Sequence, residues 1–109
     1  MLGPVVMLAL VAAPEARLEY RVDASVKGCP DERWVHAAVA ARLGRDPFVD
    51  EAPELVSVVI SPAEAPAITA QLTVTRASGR VGKRTLDSPS GDCMELASAV
   101  ELAISLALD

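Results

Sequence analysis

Apolar and polar residues alternate cleanly in two stretches of this chain and fall at helical spacing in two others. "RLEYRVDAS" sets Leu18, Tyr20, Val22 and Ala24 on one side and Glu19, Arg21 and Asp23 on the other. That period of two predicts a half-buried strand. "VKGCPDERWVHAAVAARLGRDP" then changes period: Val35, Ala38, Val39 and Leu43 recur at helical spacing and Gly44 supplies a stop. Cys29 is expected at the cap, with Pro30 in the first helical position and Asp31 and Glu32 at the positive end of the dipole. "LVSVVIS", apolar on both faces, reads as a central strand. "AITAQLTVTRA" turns Ile68, Ala70, Leu72 and Val74 inward, and "SG" between Ala77 and Arg80 predicts a hairpin turn. "RVGKRTLDS" returns as a charged edge strand.

The last segment, "SGDCMELASAVELAISLALD", opens with Asp92 and Glu95 in a capping-box arrangement and continues as a helix apolar on most of its circumference. Its polar residues, Glu95, Ser98, Glu101 and Ser105, are expected to form one narrow stripe. Leu96, Val100, Ile104 and Ala107 are expected on Val22, Val58, Leu72 and Val74. The order strand, helix, strand, strand, strand, helix predicts an α+β two-layer sandwich: a four-stranded, mainly antiparallel sheet with two helices on one face.

Ahead of this pattern, the run from Val5 to Ala13 carries no charge and is too short to span a bilayer. It matches the apolar core of a secretory leader followed by small residues where a peptidase cuts, between Ala12 and Ala16. No Lys or Arg precedes it, so the leader is expected to be truncated at its start. The expected organisation is a leader over 1–16 and a single small domain over 17–109 that owes nothing to the residues before Arg17.

Charge narrows the function classes. With 10 Lys+Arg against 15 Asp+Glu the net charge is -5, which argues against a nucleic-acid binder. An aromatic content of 3% leaves no stacking platforms for bases. Two cysteines behind a leader favour a disulfide between Cys29 and Cys93, each ahead of a predicted helix. Buried free thiols, or a thiol activated by a helix N-terminus, are the alternatives. Redox enzymes usually carry a Cys-x-x-Cys pair, which this chain does not have.

No catalytic set assembles, and neither a cofactor nor a metal is expected. His36, the lone histidine, falls off the Val35–Val39 stripe and is expected to face solvent. "ASGRVGKRT" has two residues between Gly79 and Gly82 where a phosphate loop needs four, and it lies between strands. Asp46, Asp50, Glu51 and Glu54 lack the ligand order of a calcium loop. Arg76, Arg80, Lys83 and Arg84, by contrast, concentrate positive charge on one hairpin of an acidic chain. They read either as an edge guarded against aggregation or as a docking spot for an acidic partner or an anionic lipid or polysaccharide surface. Leu102 and Leu106 lie on a flank that a lone two-layer domain has no need to bury. If exposed, they mark a contact patch for a second copy or a downstream domain.

"GCP" followed by a helix ending near "ARLGRDPF" (Gly28 to Phe48), and the terminal "DCMEL" helix (Asp92 to Asp109), resemble exported envelope domains of myxobacterial type. The likeness covers nearly the whole chain after the leader. It implies export and this fold, often as the N-terminal module of a longer protein, and it implies no activity. The reading is a non-catalytic, disulfide-stapled interaction module of the periplasm or cell envelope that contacts a protein partner, a downstream domain or a second copy. It neither spans a membrane nor binds nucleic acid. The runner-up is a small-ligand or surface-polymer binding domain using the outer face of the sheet.

Overall fold

Ile68, Ala70, Leu72 and Val74 are buried and the residues between them are not, so the period of two in this stretch does define one face of a sheet. The computed structural model describes residues 3–4 and 13–109. Its elements are β1 (Arg17–Val22), α1 (Glu32–Leu43), β2 (Leu55–Pro62), β3 (Ile68–Thr75), β4 (Val81–Ser88) and α2 (Cys93–Leu108). The strands lie side by side in chain order, β1 parallel to β2 and the other neighbours antiparallel. This is the predicted α+β arrangement. Helix α1 lies over β1, α2 lies over β3 and β4, and the two helices touch.

The core forms where the inward sheet residues meet the helices. Val56, Val58, Ile60, Leu72 and Val74 join Val35 and Val39 of α1 and Leu96, Val100 and Ile104 of α2 in one cluster. Strand β2 is central, as its composition predicts, but only one of its faces is covered: Val59 on the other is 43% exposed. Strand β1 ends at Val22 rather than continuing to Ala24. There Asp23 accepts hydrogen bonds from the Ser25 N–H (2.9 Å) and hydroxyl (2.6 Å), a local turn that competes with the ladder.

The start of α1 also differs from expectation. Asp31 is the N-cap, accepting from the Trp34 N–H at 2.9 Å, and the helix begins at Glu32. A carboxylate at the cap satisfies an orphan N–H that a thiol does not. Cys29 and Pro30 stay outside the helix: Tyr20 donates its hydroxyl to the Pro30 carbonyl at 2.9 Å, and Cys29 is bonded to Cys93, the first residue of α2. The two Cα atoms are 4.8 Å apart and 64 positions apart in sequence.

The domain reaches further toward the N-terminus than the expected boundary at Arg17. Ala16 is fully buried and bridges Phe48, and Arg45 donates to the Pro14 carbonyl at 2.9 Å. The leader expected over 1–16 falls largely on residues 1–2 and 5–12, outside the described residues.

Helix α2 is held at both ends. Asp92 caps it, accepting from the Glu95 N–H at 3.1 Å, while its own N–H goes to Ser88 Oγ and not to Glu95. At the far end α2 has no basic residue in its last turn. Two arginines from other elements take that place: Arg45 donates to the Leu108 carbonyl at 2.7 Å and Arg76 to the Ala107 carbonyl at 3.0 Å. Positive charge at a helix C-terminus is favourable, and both carbonyls would otherwise lack an intrahelical partner.

The expected polar stripe of α2 is split. Glu95 and Ser98 are exposed, but Glu101 and Ser105 are buried, because that side faces α1 rather than solvent. Arg42 of α1 meets Glu101 there, its Nε and Nη2 donating at 2.9 and 2.5 Å. The Ser105 hydroxyl donates to the Glu101 backbone carbonyl at 2.8 Å and lies 3.1 Å from the carboxylate. Hydrogen bonding to Glu101 holds the Arg42 guanidinium pKa above its ordinary value.

This packing gives four expected outcomes. The mass of the unreduced chain should be two hydrogens below that of the reduced one. Reduction should lower stability by up to ~4 kcal/mol in urea titrations, the loop-closure value for a separation this long. Ile104→Ala, at a fully buried position, should cost ~2–5 kcal/mol through transfer and cavity terms. Arg42→Ala should lower the melting temperature by stranding the buried Glu101 charge, and adding Glu101→Leu should restore much of the loss. If the double variant melts no higher than Arg42→Ala, the pair is not what costs stability there.

Candidate functional site

The residues with catalytic potential are dispersed or consumed. Both cysteines are in the disulfide and neither is free, which removes the buried-thiol and reactive-thiol alternatives in the oxidised chain. His36 is half-exposed and tied to its surroundings. Its Nε2 lies 2.7 Å from Asp46 Oδ1, and its ring meets Phe48 edge-on at 5.0 Å. Asp46 also accepts from the Phe48 N–H at 3.0 Å. That backbone bond, with a lesser contribution from His36, holds its carboxyl below the usual carboxylate range. Glu54, from the same acidic stretch, turns instead to Arg76 and to the Ala77 N–H. Among the described residues no group of three or more His, Cys, Asp and Glu is placed to hold a metal ion.

The basic hairpin divides by role. The chain reverses between Arg76 and Arg80, whose N–H and carbonyl bond at 2.8 Å, with Gly79 supplying a left-handed φ of 91°. Arg76 is half-buried and engaged on two sides, with Ala107 and with Glu54 at 3.4 Å. It therefore belongs to the scaffold as much as to any binding surface. Arg80, Lys83 and Arg84 are exposed, and among the described residues they form no ion pair. Lys83 pairs with Thr73 and Arg84 with Leu72, so the two stand on opposite faces of the sheet: Arg84 toward the helices, Lys83 away from them.

Gly82, which pairs with Val74 on the helix-facing side, was not a sequence-level candidate. It has no side chain to fill the space between β4 and the last turns of α2. A groove of about 350 Å³ results, open to solvent, floored by Leu72, Val74 and Ala103. Arg76, Lys83, Arg84 and Leu106 all line it. The structure thus brings four of the six predicted partner-binding residues to one place. A glycine inside a strand pattern was the sequence signal for that close space.

Arg80 lies apart, beside the hairpin turn in a hollow with Glu54 and Ser78. Leu102 lies on the other side of Leu106, in a shallow hollow with Arg42 and Leu43. Leu106 is 64% exposed and Leu102 42%. Met94, at the start of α2 and 43% exposed, was also missed, but exposed Ser98 separates it from Leu102. Residues four apart on a helix share a face, so Leu102 and Leu106 are neighbours rather than isolated points. No helix among the described residues is long and apolar enough to cross a membrane. Compared with known protein families and with curated proteins, the chain matches none.

Proposed function

We propose that this chain is a non-catalytic, disulfide-stapled interaction module of the cell envelope, periplasmic or secreted, of the exported type its sequence resembles. Its contact surface is the C-terminal half of α2 with the adjoining groove. The observation that carries this reading is the exposure of Leu102 and Leu106 in a domain whose core closes without them. Contiguous apolar exposure of this kind marks association surfaces, whereas scattered leucines do not. The Cys29–Cys93 bond supports an oxidising compartment, where such bonds persist.

A second reading draws on the groove itself. Its volume is at the small end of ligand pockets, and the arginine side chains of Arg76 and Arg84 over an apolar floor suit a small amphipathic anion. On this reading the ligand would sit on the helix side of β4 rather than on the outer sheet face.

A photo-cross-linking residue placed at Leu106, and in a control at exposed Gln71, separates the readings in envelope extract. The interaction module requires a defined protein adduct from position 106 and none from 71; low-mass adducts alone favour the small ligand. Leu106→Ser should keep the wild-type melting temperature and lose the partner. If it unfolds the chain as badly as Ile104→Ala, the flank is ordinary core and the proposal fails.

A further inference from the structure

Strand β4 ends the sheet, and among the described residues no strand pairs with its outer edge. Hydrogen-bond phase determines which of its backbone groups face outward. Arg76 N–H to Arg80 carbonyl closes the hairpin, and Ala63 N–H to Ala67 carbonyl closes the β2–β3 connection. Counting in steps of two from either bond, the β3 residues that bond β4 are Ile68, Ala70, Leu72 and Val74, and their partners are Ser88, Leu86, Arg84 and Gly82. The N–H and C=O groups of Val81, Lys83, Thr85 and Asp87 therefore point to the free edge. They form a row of donors and acceptors at the spacing an added strand requires.

Resting on the interaction-module reading, we infer that β4 takes up an extended acidic peptide segment of a protein partner as a fifth strand. Main-chain bonds would supply affinity and the flanking side chains would supply selection. On the helix side, the missing Cβ of Gly82 opens the groove, so an apolar side chain of the added strand has Val74 and Leu106 to pack on. Arg84 on that face and Lys83 on the other offer cross-strand partners for carboxylates, and Arg80 lies beyond them at the turn. Asp87 carries the opposite sign at the far end of the strand, so the acidic residues belong at the hairpin end. The same Lys83 and Arg84 oppose pairing with a second copy of this basic edge. The edge is closed to its own kind and open to an acidic strand.

The test uses the full chain and a fluorescein-labelled extended peptide with one valine, to enter the groove at Gly82, and glutamates around it on both faces, followed by anisotropy. The wild-type chain should bind it, a lysine-valine peptide should not, and K83E/R84E should weaken binding by about tenfold or more. Thr85→Pro removes an outward N–H that makes no bond to β3, so it should keep the fold and weaken binding by about tenfold. Methylating alternate peptide nitrogens makes the same measurement from the ligand side if Thr85→Pro disturbs the strand.

Binding that depends on Lys83 and Arg84 but is indifferent to both backbone changes is a charge contact and overturns strand addition. Failure of the acidic peptide to bind overturns it as well. So does binding to phosphatidylglycerol vesicles in place of the peptide, or a doubled mass by light scattering that K83E/R84E abolishes. In each of these cases a protein adduct from position 106 leaves the interaction-module reading standing, so the two fail separately.

Discussion

The burial of α2 against β3 and β4 is the contact on which the rest of this structure depends. Leu96, Val100 and Ile104 close the inner face of the sheet, and without them Leu72 and Val74 would face water. In a chain of this size one helix supplies a large share of the apolar area that opposes chain entropy. Its attachments are spread over four parts of the chain. Cys93 ties its start to the segment ahead of α1, Arg42 reaches its side, and Arg45 and Arg76 hold its last carbonyls. Each attachment crosses a long sequence separation. The helix is therefore not a terminal appendage but the element that α1, β3 and the loop after α1 converge on.

That anchoring explains the unusual outward side of α2. Fixing Glu101 toward α1, and the carbonyl end toward Arg45 and Arg76, leaves little rotational freedom about the helix axis. Leu102 and Leu106 are left in solvent because the polar residues took the place beside α1. A rotation that buried them would break the Arg42–Glu101 pair. The exposed leucines and the buried carboxylate are thus two results of one constraint.

Charge is distributed with the same economy. Of the four basic residues on the hairpin, Arg76 holds the scaffold, while Arg80, Lys83 and Arg84 form no ion pair among the described residues of a chain of net charge -5. A basic edge on an acidic body directs the approach of an acidic partner, and it discourages stacking of like edges. The groove at Gly82 sits where this edge meets the exposed flank of α2. Charge and apolar surface therefore meet at one corner of the domain.

Much of this architecture was legible in the order of residues, for local reasons. Strand alternation at 68–74, the apolar run at 55–60, the Asp92 cap and the glycine turn at 79 each depend on near neighbours, and each formed as its pattern predicts. The pairing of the two cysteines was also readable, because there was one pair to make. The tertiary structure alone decided the rest. Whether Glu101 faced water or an arginine depended on Arg42, fifty-nine positions away. Whether Arg76 was a docking residue or a helix anchor depended on where α2 ended. Cys29, bonded to Cys93, and Pro30, whose carbonyl accepts from Tyr20, lie outside α1, and Asp31 is its cap. Periodicity records which residues are apolar, but a polar residue is satisfied equally by water or by a distant partner. Only the packed chain determines which.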